Sequence, residues 1–474
     1  MNDVTERQPV DRRSACPGLF RLAPALDGGI CRVKLPGGRL TADQAEAVAE
    51  AAQRFSGADI ELTNRANLQI RALQARDEEA LIAALLASGL GPKPSATDAA
   101  CDLDGPALLG SDDVRNVMVS PLAGRDPQQI IDVLPLADQL LASLQGNRRY
   151  HTLSPKFAIQ IDGGESVAML HHPHDLWLAF TNTDEVMIGL ASCVPVAGDS
   201  TTPAGDVALA AAPADQAHAL SCATLDLFLD LSRDLPGVNR MKQVPAELAA
   251  AAFIDRLQPR LDFALRRDAT VAGWRRKPVP RGSHLGIIAE SVPDLVSVGA
   301  VPPLGRITAQ QFSAVADLAR SQGDGSLRLT PWQSVILPGV AKRDAESLMQ
   351  RLVAIGLTSD MALPVAQMIA CTGSAGCASG LATTQADGAQ LAALLETQQR
   401  AFPVHLSGCS KSCAAMRAEP ATLVAVAADT YDLYLRAPDA LSRFGRPVAR
   451  NITIGEAGRL LADLAAETDS PKAI

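Results

Sequence analysis

Four of the nine cysteines of this 474-residue chain stand in two tight pairs, Cys371-Thr-Gly-Ser-Ala-Gly-Cys377 and Cys409-Ser-Lys-Ser-Cys413. Thiolates are soft ligands, and four that converge match the ligand count of a cubane iron–sulfur cluster or of a structural zinc ion. Spacings bedded in glycine and serine suit turns better than a packed core, so ligation outweighs packing as the reason for them. Zinc pairs usually sit closer in sequence than the five-residue gap between Cys371 and Cys377. That gap leans the pattern toward iron–sulfur and leaves zinc open. The scattered Cys16, Cys31, Cys101, Cys193 and Cys222 follow no ligand spacing and read as structural thiols.

The chain is longer than one hydrophobic core usually supports, which predicts two to four domains. A net charge of −9 argues against a general nucleic-acid binder and for a cytoplasmic protein with neither nucleic-acid nor membrane partners. No window approaches the roughly twenty apolar residues of a membrane span. Met1 to Ala15 carries Arg12-Arg13 without the apolar segment of a secretion signal and reads as a disordered leader. Nine cysteines without such a signal imply a reducing compartment, where clustered thiols mean metal or catalysis.

The elements that must position the cysteines follow a repeat. From Cys16 the pattern is that of a ferredoxin-like half. An alternating strand Gly29–Leu35 meets a Pro36-Gly37-Gly38 turn. A helix opened by Thr41 and Gln44 runs to about Phe55, a second strand spans Asp59–Arg71, and another helix lies near Asp77 to Ser88. The segment Gly38-Arg-Leu-Thr-Ala-Asp-Gln44 recurs as Gly305-Arg-Ile-Thr-Ala-Gln-Gln311. A step of 267 residues relates Thr41 to Thr308 and Glu61-Leu-Thr63 to Arg328-Leu-Thr330. A gapless match over helix and strand predicts a duplication whose half-domains pair, with a separate domain inserted after each. The expected boundaries are 1–100 for the leader and first half-domain, 101–280 for a first α/β domain, 281–358 for the second half-domain, and 359–474 for an α/β domain carrying the cysteines. Within the first α/β domain a helix is expected near Gln128 to Leu144 and a surface loop over Thr201 to Pro213.

Cys-x5-Cys and Cys-x3-Cys, a duplicated ferredoxin-like half and the Arg115-Asn116-Val117 segment occur in one order over about Cys16 to Arg436. In this the chain resembles the nitrite/sulfite reductase superfamily. Within it, Asn64-Arg-Ala-Asn-Leu-Gln69, Arg328-Leu-Thr-Pro-Trp-Gln333 and Ser407-Gly-Cys-Ser-Lys-Ser-Cys413 are most similar to the precorrin-3B synthases of aerobic cobalamin biosynthesis. The resemblance implies an α+β fold in which duplicated ferredoxin-like half-domains pair into one domain, with two α/β domains around a central cofactor cleft. It implies an iron–sulfur monooxygenase that uses O2 and NADH to convert precorrin-3A to precorrin-3B by hydroxylation and lactone formation. The other member activity it implies is assimilatory, sirohaem-dependent reduction of sulfite or nitrite.

Carried over position by position, Cys371, Cys377, Cys409 and Cys413 match the ligands of a 4Fe-4S cluster. Cys413 matches the one that bridges to the haem iron in sirohaem-containing relatives. Arg65, Arg115 and Lys156 match the basic residues lining the face where the reductases hold an oxyanion. Three departures bear on charge. Ala158 stands where the reductases carry a second basic residue, Lys411 where asparagine is usual, and Pro331-Trp332 opposite Asn64-Arg65. Losing a cation weakens small-anion reduction, whereas a tetrapyrrole rich in carboxylates calls for arginines that grip in bidentate fashion. A cubane mainly passes electrons, so O2 chemistry needs a second group, either sirohaem bound through Cys413 or a mononuclear non-haem iron. His171-His172-Pro-His174-Asp175 has ligand types for the latter but reads first as a polar surface loop. Gly28-Gly29 and Gly163-Gly164 are turn glycines outside any dinucleotide fingerprint, so NADH is expected to act through a separate reductase.

Overall fold

In the computed structural model the repeated segment is where the two halves of the chain exchange backbone. It describes residues 16–93, 105–199, 206–415, 417–437, 440 and 442–468; the leader and Cys101 lie outside them. Thr41 Oγ1 accepts from Gln44 N at 3.1 Å while Thr41 N donates to Gln44 Oε1 at 3.1 Å. Thr308 and Gln311 repeat the arrangement at 3.1 and 2.9 Å. These reciprocal caps satisfy the orphan amides that open the helices Ala42–Phe55 and Ala309–Gln322. The strand just before each cap leaves home. Arg39–Thr41 pairs antiparallel with Ser326–Leu329 of the second copy, and Arg306–Ile307 pairs with Ile60–Leu62 of the first. Each five-stranded sheet is completed by a strand of the other copy.

The same 267-residue step governs the whole half-domain. It relates the strands Gly28–Val33 and Leu295–Ala300 and the helices Glu78–Ala87 and Ala345–Ala354. Backbone detail follows suit: Ala66 and Gln333 share a left-handed φ, 54° and 58°. Ser313 Oγ donates to Glu46 Oε1 at 2.8 Å, a contact between residues one step apart that bridges the paired helices. A single apolar core runs through both copies and includes Val48, Ile70, Phe312 and Leu337.

The two α/β units are also copies, which the sequence did not reveal. In one, Val117–Val119, Ile159–Asp162 and His174–Phe180 run parallel, then Glu185–Ser192 and Ala210–Pro213 add antiparallel. In the other, Met368–Ala370, Val404–Ser407 and Ala421–Ala427 run parallel, followed antiparallel by Thr430–Leu435 and Arg446–Ile452. A helix joins the first two strands in each, Leu134–Gly146 and Thr384–Thr397. The spacing between equivalent strands differs, so no constant offset links them.

Three expected elements differ. Asp59–Arg71 is a hairpin, Ile60–Leu62 and Leu68–Leu73, whose turn forms because Thr63 Oγ1 accepts from Asn67 N at 3.1 Å. Apolar alternation continues across that turn and conceals it. Thr201–Pro213 is not all loop, since Ala210–Pro213 forms an edge strand with buried alanines. The helix expected from Gln128 begins at Leu134. Asp126 accepts from Gln128 N and Asp132 from Leu134 N, closing turns ahead of a helix that starts with Pro135 in its first turn. Among the described residues no helix is long and apolar enough to cross a membrane.

Two outcomes follow. Phe312 is fully buried in the shared core, so Phe312→Ala should cost about 3–5 kcal/mol in denaturant unfolding. Amide protection in Ala42–Phe55 should fall along with that in Ala309–Gln322. Separate transitions for the two copies would contradict a shared core. Glu165 is fully buried, and burial followed by the charge of Asp162 raises its carboxyl from 4.5 to about 8. Stability from a raised carboxyl is full below its unfolded value and is lost as pH rises through about 8. Glu165→Gln should therefore gain on wild type in urea midpoint as pH climbs across that window, and a constant difference would refute the assignment.

Candidate functional site

The two cysteine pairs sit on loops that leave the carboxyl ends of the parallel strands Met368–Ala370 and Val404–Ser407. Open α/β sheets gather ligands at such ends. Cys371 N donates to Leu406 O at 3.1 Å and Cys377 N to Gly373 O at 3.0 Å. The loops interlock backbone against backbone. A Cβ at Gly380 would lie 2.5 Å from the Gly373 and Ser374 backbone, and one at Gly408 would lie 3.4 Å from Cys371 Sγ. Gly408 N instead donates to that sulfur at 3.1 Å, the kind of bond that tunes a sulfur-ligated iron.

Cys371, Cys377 and Cys409 are half-buried and Cys413 is exposed. Burial, then the charges of Cys371, Cys409 and Cys377, push the Cys413 thiol up, so the four sulfurs share one electrostatic neighbourhood. Four sulfur donors on two interlocked loops match the ligand count of a cubane cluster.

The first half-domain grips both loops. Asn64 Nδ2 donates to Cys413 O at 3.1 Å and to Ala414 O at 3.2 Å. Arg71 Nη2 donates to Gly376 O at 2.9 Å while its fork pairs with Asp27 at 2.9 Å and Glu61 at 3.5 Å. Thr372 Oγ1 donates to Glu61 Oε1 at 2.9 Å. Between the grips lies a cluster of arginines.

Arg65 occupies the hairpin turn beside Asn64. Burial, then Arg240 and Arg32, lower its guanidinium to about 10. Arg240 is oriented by Asp175 at 2.8 Å. Arg32 donates to Gln69 Oε1 at 2.7 Å, and its buried Nε has no partner. Burial lowers Arg32 while the charges of Cys16, Glu61 and Cys413 oppose that shift, which sets it between the arginines and the cysteine loops. Cations held this close favour bound carboxylates.

Arg65 joins Arg32 and Arg240. Arg115 is buried and pairs with Asp112 at 3.4 Å, its Nε unpartnered. The charge of Asp112 also acts on Arg32, and Lys34 Nζ donates to Asp112 O at 3.0 Å, so Arg115 is linked to the arginine group through that carboxylate. Lys156 is exposed on the turn before Ile159–Asp162, and Ala158 is buried with its N–H on Asp175 Oδ2 at 3.0 Å. Arg32 and Arg240 went unremarked in the sequence. Arg32 was detectable as the polar member of the alternating Cys31-Arg32-Val33 run, whereas Arg240 follows no local pattern.

The histidine segment is a surface turn only as far as Pro173. His171 is half-exposed, but His174 opens a strand, is 3% exposed and lies 3.3 Å from Met118 Sδ. His172 packs edge-on against Trp332 at 6.1 Å. Trp332, brought over by the second half-domain, covers the segment.

Comparison with known proteins agrees with this architecture. A model of the nitrite/sulfite reductase ferredoxin-like half domain matches residues 24–88 and again 289–355. A model of the nitrite and sulphite reductase 4Fe-4S domain matches 110–265, the α/β copy without the cysteine pairs. Ferredoxin–nitrite reductase of Synechococcus elongatus is 29% identical over 85% of this chain and 75% of its own. Precorrin-3B synthase of Sinorhizobium sp. is 26% identical over 94% of this chain and 91% of its own. In fold, the Mycobacterium tuberculosis NirA protein superposes with a TM-score of 0.73 at 21% identity, covering 94% of this chain and 82% of that one.

Cys413→Ser should lower iron and acid-labile sulfide together and abolish electron transfer. Stoichiometric zinc with no sulfide in the wild-type protein would reject the iron–sulfur reading.

Proposed function

We infer that this chain, which belongs to the nitrite/sulfite reductase superfamily, is an oxidoreductase of precorrin-3B synthase type. It would hydroxylate precorrin-3A and close a lactone to give precorrin-3B in aerobic cobalamin biosynthesis. One atom of O2 enters the product and the other leaves as water, with two electrons drawn from NADH through a separate reductase. The observation that carries this reading is the group of arginines beside the cysteine loops, Arg65, Arg32 and Arg240, which suits a ligand bearing several carboxylates better than one small anion. Similarity to the Sinorhizobium precorrin-3B synthase, 26% over 94% of this chain, supports it.

Cys371, Cys377, Cys409 and Cys413 would hold an iron–sulfur cubane, which when bound would supply one-electron transfer. The rest is the work of the chain's own side chains. Arg65, Arg32 and Arg240 bind substrate carboxylates, and Asp175 fixes the orientation of Arg240. Cys413, exposed and within the field of Lys411, is the cysteine that would ligate sirohaem.

Nitrite or sulfite reduction is the second reading, favoured by several ferredoxin–nitrite reductases at 27–29% identity. Against it stands Ala158, buried where the reductases carry a cation.

Anaerobic protein with precorrin-3A and reductant, then exposed to O2, should yield a product heavier by one oxygen atom. Nitrite- or sulfite-dependent oxidation of reduced viologen, with no such product, would move the assignment to the second reading. Arg65→Ala should weaken tetrapyrrole binding by roughly ten- to a hundredfold with iron and sulfide unchanged, the scale of one charged hydrogen bond. Lys156→Ala should weaken it less.

A further inference from the structure

The internal duplication gives the Arg65 cleft a counterpart. The turn Thr63–Asn67 is repeated at Thr330–Ser334 with the same hydrogen bonds, Thr63 N to Asn67 O and Thr330 N to Ser334 O, both 3.0 Å. Where the first turn presents Asn64-Arg65, the second presents Pro331-Trp332. By strand equivalence Ala366 stands to Met368–Ala370 as Arg115 stands to Val117–Val119, and both Ala366 and Trp332 line one cavity of about 750 Å3.

That cavity is built to hold something flat and anionic. Trp332 lies parallel to His284, with ring centroids 4.7 Å apart and planes at 4°. His284 is itself fixed by Ser334 Oγ at 2.8 Å. His172 closes the edge, and its buried Nδ1 has no partner.

Four arginines are spread around the walls. Arg281 is paired with Glu419 at 2.8 Å and Arg417 with Asp206 at 2.7 Å, while Arg436 and Arg443 add charge beyond those pairs. With Asp199 and Glu419 the acidic side chains of the lining, the cavity carries excess positive charge. Cations dispersed over so large a volume suit several separated carboxylates better than one phosphate or sulfate. The cavity also shares a wall with the cysteine site, because Asn64, Ala414 and Ala415 line it and Asn64 holds the Cys413 carbonyl.

We propose that this cavity is a second binding site for a carboxylated tetrapyrrole, lying against the Trp332–His284 ring pair and gripped by Arg436 and its neighbours. The ligand class rests on the function proposed above; the site itself rests on the duplication, the ring pair and the arginines of the walls.

Uroporphyrin III, a planar polycarboxylate, is a direct probe. The other two tryptophans, Trp177 and Trp274, pack with Ala168, Val196 and Val279 of the cavity lining, so the share reported by Trp332 is the share of the quench lost in Trp332→Phe. Titration of the cluster-loaded protein should give two equivalents per chain. Arg436→Glu should weaken one at least tenfold, Trp332→Phe should lower the quench that accompanies that same equivalent, and Arg65→Ala should weaken the other equivalent. Trp332→Phe keeps the test open if Arg436→Glu does not fold. A single equivalent lost only in Arg65→Ala would overturn the second site and leave the proposed function standing. A single equivalent lost only in Arg436→Glu would support the cavity and overturn the Arg65 cleft. Displacement of the porphyrin by NADH at Trp332 would overturn the ligand class, and no binding at all would overturn both assignments.

Discussion

Two strands of two or three residues hold the molecule to its plan. Arg39–Thr41 and Arg306–Ile307 each complete the sheet of the other copy, so neither half-domain can finish its hydrogen-bond ladder alone. An edge left open would be a liability in solution; exchange closes it from within. The caps at Thr41 and Thr308 follow at once and aim the paired helices at each other, and one core then forms in place of two. The hairpin turns that carry Arg65 and Trp332 are consequently fixed relative to one another and to both α/β units.

Much of this was legible because the half-domain repeat has no gaps. Capping residues, glycine turns and apolar spacing recur at one offset, and an offset is visible without knowing any contact. The duplication of the α/β units stayed hidden because its loops differ in length, so equivalent strands drift out of step. The cysteine pairs announced themselves by residue type and spacing. Their surroundings did not. Arg32 comes to Arg65 from the neighbouring strand of the sheet and Arg240 from a loop of the first α/β unit, while Arg115 is tied to them only through Asp112. Local pattern reports what a segment is made of, while long-range charge clusters are set by the packing of segments far apart in sequence.

The pseudo-symmetry also shows how one scaffold acquires two chemistries. The same turn, held by the same threonine hydroxyl, presents an arginine on one side and a tryptophan on the other. The same loop after a second parallel strand carries Cys409 and Cys413 in one α/β copy and His171 and His172 in the other. Backbone geometry is common property here, and the side chains divide the labour between charge on one face and a flat aromatic surface on its mate.

The grip of Asn64 on the Cys413 carbonyl joins residues 349 positions apart. Arg71 likewise reaches Gly376 O, 305 positions away, while Asp27 and Glu61 already hold it within the first half-domain. The amino-terminal half-domain therefore has its side of the cradle in place before the cysteine loops are made, and the order of synthesis runs from the holder to the held.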